Sequence, residues 1–188
     1  HAEIIARANA ALAQSLDLET VLAAFLENLR LLVPYDSANV RLFDGVSSFH
    51  TLAQHGYENW TKARPATMNI SQSFSHLAAL IKNRASELIP VTERDPRWER
   101  IAGFEYIRSW LGVPLLAGGE VIGFYSMDHN TPDFFTAEHV HLAETLSAQA
   151  AVAIHNVRLL EETRLSRDRL AELSRKLVEA HENESRSI

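Results

Sequence analysis

Two runs rich in β-forming residues, SWLGVPLLA and EVIGFYSMD, flank the pair Gly118-Gly119. A Gly-Gly pair between such runs predicts a two-residue hairpin with a primed turn, because both central residues then need positive φ. Both runs are apolar at odd and even positions alike. Strands of that kind are covered on both faces. The chain must therefore build a sheet around this hairpin and place material on either side of it.

The second constraint is a stretch without Gly or Pro from Ala137 to about Asn183. Thr136 predicts its N-cap, with Glu138 favourably placed in the first turn. At 1.5 Å per residue such a helix would run about 70 Å. A domain of this length is on the order of 30–35 Å wide, so the far half is expected to project. The early part, with Leu142, Leu146, Ala150, Ala153, Val157 and Leu160, suits packing on a sheet. The late part carries Leu170, Leu173, Leu177 and Ala180 at three-four-three spacing among Glu, Arg and Lys, which is a narrow coiled-coil seam. An isolated helix is marginal in water, and the seam predicts a partner helix. Leu159 and Leu170 are eleven apart, and a stutter in the heptad is expected between them.

Upstream, Glu3 to Gln14 reads as an Ala-rich helix. Asp17 reads as the cap of a second one carrying Leu22, Phe25, Leu26, Leu29 and Leu32, stopped by Pro34. SANVRLFD alternates and predicts a strand over Ser37–Asp44, with a return over Phe49–Gly56. Thr67–Ile70 and Glu87–Val91 read as short strands. Between them Ser71 or Ser73 would cap a helix with Phe74, Leu77, Ala78 and Ile81 on one face. Thr92 to Gly103 reads as a polar loop, and Tyr106–Arg108 as a helical turn.

At 188 residues one main domain is expected, able to bury about 70% of its unfolded surface. The net charge of −6 argues against nucleic acid as the main partner. No apolar run approaches the ~20 residues of a membrane span, and no signal-peptide pattern is present. A cytoplasmic location is expected, within a parent protein that is either soluble or membrane-anchored. The sequence has no Cys, which excludes disulfides, thiolate metal sites, cysteine nucleophiles and thioether-linked chromophores. Its first residue is His1 rather than Met, as expected of a piece of a longer protein.

Nine His residues raise the question of metals. His139 and His141 lie two apart on a helix and diverge. His50 and His55 fall on opposite strand faces by parity. His76 lies on the third helix. No zinc spacing appears, and no metal site is expected. A single axial His suffices for haem, but a lone His is more often a core or surface residue, so haem is not expected. There is no GxxxxGK loop and no nucleophile elbow, and no catalytic residue is predicted.

The order helix, helix, strands, helix, strand, loop, hairpin, helix resembles a GAF domain. So do the stretches VPYDSANVRLFD, DPRW, IRSWLGVPLLAGGEVIGFYSMDHN and FFTAEHVHLAETLSAQAAVAIHNVRL, in that order, over Leu18 to Leu160. The resemblance implies an α+β fold with a central antiparallel sheet of five or six strands and helices on both faces. The first and last helices would share one face, and a small-molecule pocket would lie on the other. LAELSRKLVEAHENESRSI resembles the helix that enters the dimerisation and phosphoacceptor domain of nitrate-sensor-like histidine kinases. The expected organisation is a linker or dimerisation helix over 1–16, a GAF sensor over 17–160 and a coiled-coil output helix over 161–188. A kinase domain would follow.

Same-face residues in a strand are two apart. Val40 and Leu42 would pack on the helices, leaving Asn39, Arg41 and Phe43 toward the pocket. Likeness to chromophore-binding GAF domains places Trp110, Gly112 and Pro114, and Phe124, Ser126 and Asp128, inward as well. Phe74, Trp98 and Tyr106 would roof the site. An aromatic lining with one Arg and one Asp suits a small, partly polar or anionic ligand. The opposing expectation is that these aromatics fill a core and that Arg41 pairs with Asp128 or Asp44. The resemblance does not extend to a covalent bilin, which needs Cys, nor to methionine sulfoxide reduction, which needs it too; Trp98 stands near the place of the bilin-pocket His.

Together these readings predict a dimeric input domain that senses an unidentified small molecule. It would regulate a histidine kinase, and through it a response regulator, by helices at its two ends. Leu159, Leu170, Leu173, Leu177 and Ala180 would carry the signal. A ligandless spacer that only dimerises, and an input domain for a cyclase or phosphatase, are the alternatives.

Overall fold

The computed structural model describes residues 18–43, 48–59, 67–69 and 75–185. The expected first helix, the caps Asp17, Ser71 and Ser73, and Phe74 lie outside them. The chain divides into two compact units, one ending at Ala153 and the other beginning at Ile154.

In the first unit, α1 spans Leu18–Leu32 and buries Val21, Leu22, Phe25, Leu26, Leu29 and Leu32. That three-four spacing makes one apolar stripe. Pro34 follows, and Tyr35 folds back so that its hydroxyl donates to the Leu26 carbonyl at 2.7 Å. The strands are β1 (Ser37–Phe43), β2 (Ser48–His55), β3 (Thr67–Asn69), β4 (Glu87–Ile89), β5 (Ser109–Ala117) and β6 (Glu120–His129). They form one antiparallel sheet in the order β3-β2-β1-β6-β5-β4. Gly118 and Gly119 have φ of 58° and 81°, the primed turn the hairpin requires. β5 and β6 are both interior strands.

One sheet face carries α1 and the start of α3 (Ala137–Ser185). Val40 stands opposite Tyr125, whose ring meets Phe25 of α1 edge-on at 5.1 Å. The Tyr125 hydroxyl donates to the Ala143 carbonyl, and the Ser147 hydroxyl to that of Pro114. Thr136 caps α3, accepting the His139 N–H at 3.2 Å. His139 Nδ1 in turn accepts the Thr136 N–H at 3.3 Å, so this imidazole is engaged in the cap.

The opposite face carries α2 (Ser75–Asn83) and the connection between β4 and β5. Three details differ from expectation. The buried residues of α2 are His76, Leu77 and Leu80, while Ala78 is exposed: the helix is rotated so that its histidine faces inward. Tyr106–Arg108 is no helical turn. The Ile107 N–H closes a turn on the Phe104 carbonyl, and Arg108 is already tied to the His129 carbonyl. Finally, Val40 pairs with Ala53 but Arg41 with Thr51. This bulge gives β2 one extra residue and reverses its parity. His50 and His55 stand opposite Leu42 and Ala38, and so share the helix-covered face rather than pointing apart.

In the second unit Leu159, Leu170, Leu173 and Leu177 are exposed, at 47–71% of their surface. The backbone of Ala180 is helical. No helix among the described residues is long and apolar enough to cross a membrane.

Candidate ligand-binding site

The register of β1, β6 and β5 sets out the inward residues in rows. Arg41, Phe124 and Pro114 form one, Asn39, Ser126 and Gly112 the next, and Ser37, Asp128 and Trp110 the third. Directly opposite residues share a face, so nine residues from three strands converge on one surface. Asn39, Arg41, Trp110, Gly112, Phe124, Ser126 and Asp128 are thus brought together on the sheet. Phe43 joins them, with its ring 6.3 Å from that of Phe124.

Asp128 is buried and centres a hydroxyl network. Its Oδ2 accepts from Ser37 Oγ at 2.8 Å and from Tyr57 OH at 2.7 Å. Tyr106 OH lies 2.6 Å from Ser37 Oγ, and Asn39 Nδ2 donates to Tyr57 OH at 2.5 Å and to Ser126 Oγ at 3.0 Å. Burial raises the Asp128 pKa to about 6, against the hydrogen bonds from Tyr57 and Ser37, which lower it. Burial likewise pushes the Tyr57 phenol well above its ordinary value. The Ser37 and Tyr57 hydroxyls, both directed at Oδ2, suit the ionised form of this carboxyl.

Arg41 does not pair with Asp128, and Asp44 lies outside the described residues. Its guanidinium instead sits over the rings of Phe49 and Phe124, 5.1 and 6.0 Å from their centroids. Its Nε is sealed from solvent with no hydrogen-bond partner among the described residues, and the same is true of Asn39 Oδ1. Burial lowers the Arg41 pKa. A buried polar group without a partner is costly, and two of them, a donor and an acceptor, stand two residues apart on one strand.

The aromatic wall is Trp110, Trp98 and His76. The His76 ring lies 5.0 Å from Trp98 and 4.8 Å from Trp110. Burial, the largest cause, lowers its pKa to about 4, so it is a neutral aromatic spacer. His76 Nδ1 and Ser75 Oγ both meet the Arg97 carbonyl, at 3.3 and 3.1 Å. Arg97 itself forks onto Asp95 and reaches Glu87 at 3.1 Å. The DPRW stretch is therefore a clamp that seats Trp98. Trp98 also lines a cleft of about 100 Å³ with Ile101, Phe104 and Ile107, far below the several hundred Å³ of a typical ligand pocket.

Ser37, Tyr57 and Phe49 belong to this site but were not singled out in the sequence. Ser37 is legible from the same two-residue period as Asn39 and Arg41. Tyr57 depends on Gly56, whose φ of 82° and contact with the Asp36 carbonyl leave no room for a Cβ. Phe49 depends on the β2 bulge, which periodicity does not reveal. Among the described residues no His, Asp and Glu cluster could hold a metal.

The GAF domain family model matches residues 17–154. Among curated proteins none matches the sequence. Several solved structures share the fold. The GAF domain of a phosphoenolpyruvate-protein phosphotransferase from Coxiella burnetii is 16% identical, with a TM-score of 0.73, covering 85% of this chain and 95% of that one. A free methionine-R-sulfoxide reductase from Neisseria meningitidis, in complex with its substrate, is 15% identical at a TM-score of 0.71, covering 84% and 90%. Residues 122 to 287 of a methyl-accepting chemotaxis protein are 20% identical at a TM-score of 0.69, covering 81% and 98%. The match over most of the sequence, together with the six-stranded sheet and its two covered faces, shows that the chain belongs to the GAF domain family.

Proposed function

We propose that this GAF domain is the small-molecule-sensing input module of a dimeric signalling protein, and that its output is a two-component histidine kinase. One observation carries the sensing role. The face of the sheet away from α1 and α3 holds Arg41 and Asn39 with unpartnered buried atoms, beside the buried carboxyl of Asp128. A face that served only as core would favour apolar side chains there, since each such group costs stability. Ligand occupancy would favour one packing of the terminal helices over another, a population shift, and the helix beyond Leu159 would pass that choice to a cytoplasmic kinase core and its response regulator.

A ligandless spacer is the second reading, favoured by the aromatic cluster. Phe49, Leu77, Leu80, Ile89, Trp110 and Phe124 pack as one core on the same face. Native mass spectrometry of gently purified protein, followed by denaturing spectra, separates the two. A releasable extra mass is expected. A bare protein, with full-length Arg41→Ala and Trp110→Ala keeping the wild-type signalling range, would leave the spacer. The kinase output is tested by autophosphorylation of the full-length protein, expected to change with Leu170→Ala and Leu177→Ala.

A further inference from the structure

The connection from β6 to α3 is fastened at both ends by imidazoles. Thr136 is the N-cap of α3, and His139 stands three residues on. The Thr136 hydroxyl accepts the His139 N–H at 3.2 Å, and His139 Nδ1 accepts the Thr136 N–H at 3.3 Å. This reciprocal pair is a capping box, in which Glu or Gln ordinarily takes the place His139 has here. At the other end His129 Nδ1 accepts the Thr131 N–H at 3.0 Å. Phe134 joins the two rings. It is stacked on His129 at 3.4 Å with 3° between the planes, and it lies 5.8 Å from His139. Phe135 meets both imidazoles edge-on, at 6.4 and 6.3 Å.

An imidazole accepts a hydrogen bond only through an unprotonated nitrogen. With Nδ1 accepting, each neutral ring carries its hydrogen on Nε2, and an added proton has Nδ1 as its only place. Protonation therefore sets donor against donor, at Thr131 and at Thr136. At His139 it also puts a cation in the first turn of α3, where the helix dipole favours the opposite sign. Histidine is the side chain whose charge ordinarily changes between about pH 5 and 8. Burial, the largest cause, lowers the His129 pKa; Asp36 raises it and His139 lowers it. With the folded value below the unfolded one, the closed form loses stability as pH falls. Asp36, before β1, holds its Oδ2 3.9 Å from His129 Nδ1 and accepts the Asn130 N–H at 2.7 Å. Arg108, whose N–H meets the His129 carbonyl, turns its guanidinium to Glu93 at 3.2 Å. Asp133 and Glu138 are exposed.

We propose that the His129–Phe134–His139 connection is a proton-operated latch on the start of α3. With both rings neutral, each holds a backbone N–H and the connection is closed. With the rings protonated, His129 exchanges the Thr131 N–H for the Asp36 carboxylate, His139 releases the Thr136 N–H, and the first turn of α3 opens. An ordinary capping box built on Glu would keep its acceptor through this pH range, since a carboxylate protonates only near pH 4. In the output reading above, acidity is then a second input to α3, independent of any ligand.

The test is amide hydrogen exchange read by NMR at pH 5.5 and 7.5, corrected for the intrinsic pH dependence of exchange. Protection of the Thr131 and Thr136 amides is expected to fall about tenfold or more at pH 5.5, relative to the interior amides of β6. His139→Gln restores an ordinary capping box and is expected to keep Thr136 protected at both pH values. His129→Asn places an acceptor two residues before Thr131, as an Asx-turn does, and is expected to keep that amide protected at both. Asp36→Asn removes the charge that favours the His129 cation and is expected to move the midpoint of the Thr131 response to lower pH. Equal protection of Thr131 and Thr136 at the two pH values in the unaltered protein overturns the latch. So does a fall that persists when His129→Asn and His139→Gln are combined. The readout needs neither a ligand nor a kinase, so the latch stands or falls apart from the sensor reading.

Discussion

The indole of Trp110 lies across Gly112, its neighbour two residues along β5. A Cβ placed at Gly112 would stand 2.1 Å from Trp110 Cη2 and 2.6 Å from Cζ2. The glycine is needed for this close approach, and the ring it admits is packed in turn by His76 and Trp98. Gly112→Ala is expected to expel the indole and cost about 1–3 kcal/mol, as overpacking does. Chemical denaturation measures the loss, and tryptophan emission reports the displaced ring. Adding Trp110→Leu should recover part of the loss. A double-mutant cycle with no coupling between the two positions would mean that the ring does not depend on the glycine.

Asp128 and His76 are buried groups with opposite pH signatures. Asp128 has its pKa raised from 3.8 to about 6 by burial. The folded state then holds a proton that the unfolded state has lost, so stability from this group falls as pH rises from about 4 to 6. His76 has its pKa lowered from 6.5 to about 4, also by burial. There the unfolded state holds the extra proton, and stability falls as pH drops from about 6.5 to 4. Each is worth on the order of 3 kcal/mol over its window, and the two slopes oppose each other. Asp128→Asn should leave a protein that loses stability toward pH 4 more steeply than wild type. His76→Gln should leave one that loses less, or gains. Melting temperatures of the three proteins between pH 4 and 7.5 check this, and parallel curves would contradict both assignments.

Arg97 closes the connection over the aromatic wall. Its Nη2 lies 2.8 Å from Asp95 Oδ2 and its Nη1 3.1 Å from Glu87 Oε2. The pair with Asp95 holds that carboxyl below its ordinary range. The side chain is 38% exposed, so the ion pairs add about 1 kcal/mol or less to global stability. Their role is local. Arg97→Ala is expected to move the melting temperature little but to speed amide exchange between Thr92 and Ile107, where Trp98 is seated. Arg97→Lys should behave like Ala, because a single ammonium cannot fork onto Asp95.

The hairpin and the inward residues of β1, β5 and β6 were readable because period two and a Gly-Gly turn are local signals. Val40 against Asn39 and Arg41 needs nothing beyond alternation. Periodicity misses the parity of His50 and His55 because one bulge between them inverts everything downstream, and a bulge leaves no mark in the sequence. The rotation of α2 is hidden from the sequence for a related reason. Leu77 fits a stripe with Ala78 and Ile81 as well as one with His76 and Leu80, and only packing against Trp98 and Trp110 decides for the histidine. The hub around Asp128 joins residues as much as 91 positions apart. Ser37 shares the strand period, but Tyr57 reaches the carboxylate only once Gly56 has turned the chain.

The expected stutter between Leu159 and Leu170 is not required by their spacing. Eleven residues is one heptad plus four, the step from a d position to the a position of the next repeat but one. With Leu159 at d, Ser166 and Leu173 follow at d, and Asn156, Thr163, Leu170 and Leu177 fall at a, without interruption. The apolar members are exposed, as a seam awaiting a partner helix would be. The Thr163 hydroxyl is turned back onto the Leu159 carbonyl at 2.8 Å, which lessens the cost of covering it. In the proposed dimer, Asn156, Thr163 and Ser166 make a weak polar stretch ahead of a Leu-rich clasp. Weakness there, rather than a break in register, is what would let two packings approach each other in energy. Leu170→Ala with Leu177→Ala should shift the protein toward monomer by about several hundredfold or more in dissociation constant, at about 2 kcal/mol or more for each layer lost. Thr163→Ile with Ser166→Leu should tighten the dimer and, in the full-length protein, lock the proposed kinase output in one state. Sedimentation equilibrium and autophosphorylation measure the two effects. A dimer unchanged by the Leu substitutions would place the interface elsewhere, and a tightened dimer with a normal signalling range would remove the polar stretch as the switch.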